Sequence, residues 1–171
     1  SVANLLSGLG KGIAGIAPAR QLPRLQKSFR SEFKGSVAGE RVILFDDTFN
    51  NHFRPQTARA AQRVLEAAGC AVELPREHLC CGRPYYDFGM LDRAKAALEK
   101  VLEVLPEGVP IVVLEPGCLS VFRDELHQLL PGDKNSRQFL SLAEFLRGRK
   151  IPEVKRQVLV HGHCHQKALS G

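Results

Sequence analysis

Four short segments of the 171-residue chain carry side chains able to do chemistry: Asp46-Asp47-Thr48, Cys80-Cys81-Gly82, Glu115-Pro116-Gly117-Cys118 and His161-Gly162-His163-Cys164-His165. Soft thiolates select zinc, copper(I) and iron–sulfur clusters. Two adjacent thiolates converge poorly on one small tetrahedral ion, so Cys80 and Cys81 suit a polynuclear cluster better, and Gly82 allows a positive φ and a close approach of the backbone. The alternative is that both are small, partly buried apolar residues, a common state for free cysteine. A disulfide framework is not expected. No secretory leader is visible, cytosolic thiols stay reduced, and neighbouring cysteines bridge only with strain.

Cys118 follows Pro116-Gly117 and opens a helical pattern, which places its thiol near a helix N-terminus where thiolate is favoured. The histidines flanking Cys164 alternate as on an extended strand, His163 to one side and His161 with His165 to the other. Their spacing matches no zinc signature, and solvated or hydrogen-bonding histidines are the simpler reading. A nucleophilic pair of Cys118 with His163 lacks a third, orienting group. Asp46 and Asp47 stand where a dinucleotide fingerprint needs glycines, so NAD or FAD binding by this chain is not expected. Cys70 is assigned to the core.

The elements that must position these groups alternate. Short apolar runs at Val42–Phe45, Ile111–Leu114 and Val158–Val160 read as strands buried on both faces, and Cys70–Leu74 as a further short strand. Helical patterns lie between them. One holds Ala61, Val64, Leu65 and Ala68 and ends at Gly69; a second runs from Leu91 to Leu105 before Pro106. A third joins Leu119, Phe122, Leu126, Leu129 and Leu130, and a fourth Phe139, Leu142, Phe145 and Leu146. This order predicts an α/β fold, a mostly parallel Rossmann-like sheet with helices on both faces, with ligand chemistry on loops beyond the carboxyl ends of the strands. The chemistry-bearing segments fall on those loops.

With 44% hydrophobic and 25% charged residues the composition is that of a globular domain, and no run approaches a membrane span. Residues 1–40 read as a basic linker or tether ahead of a domain at 41–171. Within it Leu5, Leu6, Leu9, Ile13 and Ile16 fall at near-helical spacing weakened by four glycines. In residues 1–36 Lys11, Arg20, Arg24, Lys27, Arg30 and Lys34 face one acid, Glu32, whereas the remainder is nearly neutral with 18 basic and 17 acidic residues. A charged tether beside a neutral domain argues for contact with something acidic and against nucleic acid. The reading is a cytoplasmic chain, at most peripheral at the inner face of a membrane.

Cys80-Cys81-Gly82 with the following Arg83-Pro-Tyr-Tyr-Asp-Phe-Gly-Met-Leu-Asp92, Leu114-Glu-Pro-Gly-Cys-Leu-Ser-Val-Phe-Arg-Asp-Glu-Leu126 and His161-Gly-His-Cys-His-Gln-Lys-Ala168 together resemble the cysteine-rich CCG domain family. The likeness covers 41–171 and is nearest to the C-terminal iron–sulfur portion of FAD-linked oxidases of the glycolate or D-lactate type; the CCG-containing component of heterodisulfide reductase is a relative. The resemblance implies a duplicated domain, of which this chain holds one CCG repeat plus the start of a second. It implies Cys80, Cys81, Cys118 and Cys164 as ligands of a 4Fe-4S-type cluster. Thr48 and Glu115 stand where the family has cysteines; they and His163 are further ligand candidates, and zinc is the alternative metal.

The implied function is electron relay as the iron–sulfur part of an oxidoreductase. A flavin domain or subunit, carrying the FAD, oxidises a 2-hydroxy acid, a ferredoxin-type module collects the electrons, and the CCG domain passes them on. The alternative is a zinc-bound or metal-free docking module for partner subunits. Arg83, Tyr85, Tyr86 and Arg123 are candidate polar neighbours of the thiolates.

Overall fold

The computed structural model describes residues 11, 13–36, 38–132, 137–151, 153, 155–164, 167 and 168. The early residues Leu5, Leu6 and Leu9, and His165 of the last motif, lie outside that set. Four strands, β1 (Glu40–Phe45), β2 (Cys70–Glu73), β3 (Ile111–Val113) and β4 (Phe139–Ser141), form one sheet in the order β2-β1-β3-β4. Every pairing is parallel, with Val42 opposite Val72, Ile43 opposite Ile111 and Val113 opposite Ser141. The expected parallel α/β architecture is therefore present.

Successive residues of a strand point to opposite faces, and β1 supplies both cores in this way. Val42 and Leu44 enter a cluster with Phe29, Ala58, Leu65, Val72 and Phe145. Ile43 and Phe45 enter the other, with Leu98, Val101, Ile111, Phe122 and Phe139. The first face is covered by α1 (Phe29–Glu32), α2 (Pro55–Ala67) and α7 (Leu142–Leu146), the second by α4 (Leu91–Val104), α5 (Pro116–Arg123) and α6 (Glu125–Leu129). Each fully buried Leu or Val contributes about 1.5–3 kcal/mol, which is why a continuous apolar run is stable only when both faces are covered. A short helix, α3 (Arg83–Asp87), follows the paired cysteines.

Three expectations are corrected. The run Val158–Val160 forms no strand: Leu159 is 101% exposed and its neighbours 77% and 80%, so three apolar residues there have neither a ladder partner nor a covering helix. His161 and His163 lie outside any strand, so the alternation expected of them is absent, and His165 lies outside the described residues. The pattern over Leu119–Leu130 is two helices, broken at Asp124 (φ −120°, ψ −71°). Phe139–Leu146 is a strand followed by a helix, separated by the capping box of Ser141 and Glu144, whose side chains each bond the other's backbone N–H. The sequence pattern merged strand and helix because Phe139 and Leu142 share helical spacing by chance.

Part of the basic segment packs on the sheet. Phe29 is buried, and Ser36 Oγ donates to Cys70 O at 3.3 Å and accepts from Val72 N at 3.0 Å, capping the β2 edge that would otherwise offer open ladder groups. Arg30 donates through Nε and Nη2 to the two oxygens of Asp46, at 2.7 and 2.8 Å, and Nη2 also reaches the carbonyls of Pro75 and Glu77. One of the tether's cations thus finds its acid within the chain.

Candidate functional site

β1 and β3 lie side by side while their connections leave in opposite directions, β1 toward β2 and β3 toward β4. Loops beyond such a switch point diverge and leave a crevice. Here the crevice is a cavity of about 340 Å³, walled by Thr48 and Phe49 after β1, Cys80 and Cys81 after β2, and Glu115 and Cys118 after β3. Phe88, 81% exposed, and Phe49 stand among its walls, so the space reaches the surface.

The residue after β1 turns sharply. Asp47 Oδ1 accepts from Asn50 N at 2.9 Å and Oδ2 from Asn50 Nδ2 at 2.7 Å, which holds a single π-helical turn over Phe49–Phe53 and draws Asn50 and Asn51 inward. Burial pushes the Asp47 carboxyl up from its ordinary value, and the charge of Glu115 adds to that; the Asn50 donors only partly offset it. Behind it, burial alone would push the Asp46 carboxyl up, but hydrogen bonds from His78 and Arg30 prevail and hold it below the usual range. Asp46 in turn raises His78, whose Nδ1 lies 3.4 Å away.

Gly82 adopts φ +85°, and a Cβ there would sit 3.1 Å from the Ala94 carbonyl oxygen. Only glycine therefore brings the cysteine loop this close to α4. The turn delivers Cys81 into the wall: its Sγ donates to Cys118 Sγ at 2.8 Å, and both residues are buried, at 4% and 7% exposure. Cys80 is exposed, with its Sγ accepting from Gly82 N at 3.4 Å. The Cys80 thiol is pushed up by its hydrogen bond with Cys81 and then by burial; the Cys81 thiol is pushed up by its bond to Cys118 and by burial. Cys118 is the third residue of α5, after Pro116 at the first position, and Glu115 caps the helix by accepting from Gly117 N at 3.3 Å.

Arg83 ties the two thiol-bearing segments together. Two residues after Cys81, its Nη1 donates to Glu125 Oε1 at 2.5 Å, and its Nη2 donates to Ser120 Oγ at 2.5 Å and to the Gly117 carbonyl at 3.5 Å. Of the polar neighbours expected from the sequence, Arg83 alone of the four lines this cavity; Tyr85 lines an adjoining groove. Arg123 instead donates to both oxygens of Glu144 and to the Phe139 carbonyl, fastening α5 to β4 and α7. Arg83's position is legible from its place after the CCG turn, whereas its partner Glu125 carries no signal in sequence.

The structure brings Cys80, Cys81, Cys118, Thr48 and Glu115 to one cavity and leaves Cys164 exposed and His163 away from its walls. Cys70 is buried in the core beside β1, as assigned. The donor chemistry of the cavity fits a soft metal centre, with three thiols and a carboxylate on one wall. The arrangement is not closed around an ion: among the described residues no group of three or more His, Cys, Asp or Glu side chains is set to hold a metal. Two thiolates on one tetrahedral ion stand about 3.8 Å apart, given Zn–S bonds of about 2.3 Å, so the Cys81 and Cys118 sulfurs must separate and Cys80 must turn inward to share a metal.

Residues 45–123 match the family described as Cysteine-rich domain, CCG. The match covers just under half of the chain and marks this segment as similar to that family. The matched segment contains the whole cavity wall from Phe45 to Cys118. The chain is 26% identical over 146 residues to Lactate utilization protein A 2 of Bacillus mycoides, and 25% identical over 146 residues to Lactate utilization protein A of Bacillus thuringiensis. Each match covers 77% of this chain and 60% of the relative. No solved structure matches. Among the described residues no helix is long and apolar enough to cross a membrane.

Proposed function

We propose that the CCG domain is the iron–sulfur electron-transfer part of an oxidoreductase acting in 2-hydroxy-acid metabolism, with lactate as the acid. The observation that carries this is the meeting of Cys80, Cys81 and Cys118, drawn from two different βα loops, at one switch-point cavity inside the family match. The names of the relatives support lactate as the metabolic context. Cys80, Cys81 and Cys118 would hold the cluster, with Glu115 or Thr48 in reach and Cys164 reserved for the start of a second repeat. A 4Fe-4S-type cluster so held supplies one-electron transfer. A flavin-bearing domain or subunit and a ferredoxin-type module are the proposed electron donors, and the setting is the cytoplasm.

The chain's own residues do the rest. Arg83 fixes the distance between the Cys81 turn and the α5 terminus, and its backbone hydrogen bond to Cys81 partly offsets the rise of that thiol. Phe45, Phe49, Leu79 and Phe88 give the cavity an apolar lining around the thiols. Because the Cys80 and Cys81 thiols are pushed up, metal uptake must expel protons from them and weakens as the pH falls. A zinc-bound or metal-free docking module is the second reading, favoured by the non-cysteine donors Thr48 and Glu115 and by the cavity not being closed around an ion. Anaerobic loading of the chain with iron and sulfide, followed by iron, sulfide and zinc counts, separates the two. Iron with matching sulfide supports the cluster; one zinc or no metal supports docking.

A further inference from the structure

The Cys81 and Cys118 sulfurs, at 2.8 Å, are closer than one shared metal ion needs and farther than the bond of about 2.05 Å that joins a disulfide. They belong to segments 37 residues apart in sequence that the Arg83 guanidinium holds together through Ser120 and the Gly117 carbonyl. Both are buried against other protein atoms but face a cavity open at the surface beside Phe88. Cys80, by contrast, is exposed, although it lines the same cavity and bonds Cys81. From this geometry we propose that Cys81 and Cys118 are a reversible disulfide pair that closes when the thiols carry no metal and a hydroperoxide enters the cavity. This deepens the cluster reading in its consequence alone: the closed pair removes two of three thiols from the wall and so blocks metal loading until it is reduced.

The step balances. One thiol, as thiolate, attacks a peroxide oxygen and becomes a sulfenic acid, releasing water from hydrogen peroxide; the second thiol attacks the sulfenic sulfur and expels a second water. Two S–H bonds and one O–O bond are lost, one S–S bond and two O–H bonds form, and the two electrons given up by the sulfurs reduce the peroxide to two waters. Held proximity replaces an encounter between separate molecules in the second step.

The full chain, reduced and freed of metal with a chelator, is treated anaerobically with equimolar hydrogen peroxide, denatured, and its free thiols counted. The expected count falls from five to three, the mass drops by two hydrogens, and a peptide containing Cys81 is joined to one containing Cys118 in a link that dithiothreitol opens. Cys80→Ser keeps the link and Cys118→Ala abolishes it, while circular dichroism reports folding of each variant. Five remaining free thiols, or a link that survives Cys118→Ala, overturns the proposal. A parallel reduced sample is loaded with iron and sulfide without peroxide. A link with no iron uptake by that sample upholds the pair and fails the cluster reading; iron uptake with no link after peroxide fails the pair alone.

Discussion

At the scale of single residues the site depends on one guanidinium. Arg83 and Glu125 are largely buried, with side chains 17% and 9% exposed, and Arg83 also bonds Ser120 and Gly117 on the far side of the cavity. Replacing Arg83 by Met leaves the Glu125 carboxylate buried without its cation, which costs about 3–5 kcal/mol. Unfolding by urea is expected to show that loss, and Arg83→Met combined with Glu125→Gln to recover a substantial part of it; additive losses would mean the two side chains do not act as a pair. Burial also sorts the thiols. Cys164 is exposed and Cys70, Cys81 and Cys118 are buried, while the Cys80 thiol is exposed but pushed up by its bond with Cys81, so alkylation of the reduced, folded protein near neutral pH is expected to modify Cys164 first, Cys80 more slowly, and all five only after denaturation. Mass mapping of the modified peptides checks it.

The elements show what was legible in sequence and what was not. β1 and β3 were readable because their apolar runs are short, uninterrupted and buried on both faces, and Gly82 because a positive φ and a close approach to α4 both demand glycine. The strand Phe139–Ser141 was not, since three residues cannot establish a period of two before the helix begins. Nor was the failure of Val158–Val160 to form a strand, because an apolar run states what could be buried without stating whether a partner lies beside it. The cysteines were found by type and spacing, but the 2.8 Å approach of Cys81 to Cys118 depends on α3 and α5 meeting across the sheet edge, which no local pattern encodes. Where β4 joins α7, Arg123 and the Ser141 cap hold the Glu144 carboxyl at about 2. A depressed folded value stabilises above the unfolded value near 4.5 and is lost as the pH falls toward 2. Glu144→Gln is therefore expected to cost about 1–2 kcal/mol near pH 6, allowing for partial solvent exposure, and progressively less on acidification. Urea midpoints across that range test the sign; a penalty that grows in acid would contradict it.

For the molecule as a whole, Cys81 and Cys118 join the core on one face of the sheet, whereas the core on the other face holds none of the cavity thiols, so that second core can be altered without touching the chemistry. Leu65→Ala, on α2 in that second core, is expected to destabilise by about 2–5 kcal/mol through the void it leaves, with metal content per folded molecule unchanged. The basic segment is partly consumed by the fold through Phe29 and Arg30, and the matched region spans 60% of the length of the lactate utilization relatives. The claim at the centre of this account is that the thiols at the β1–β3 switch point bind an iron–sulfur cluster. Anaerobic reconstitution of the chain, with iron and acid-labile sulfide counted for wild type, Cys81→Ser, Cys118→Ser and Cys70→Ala, tests it most directly. The account predicts iron and sulfide in matching amounts in wild type and Cys70→Ala and their loss in Cys81→Ser and Cys118→Ser; iron-free wild type, or equal binding by all four folded proteins, would contradict it.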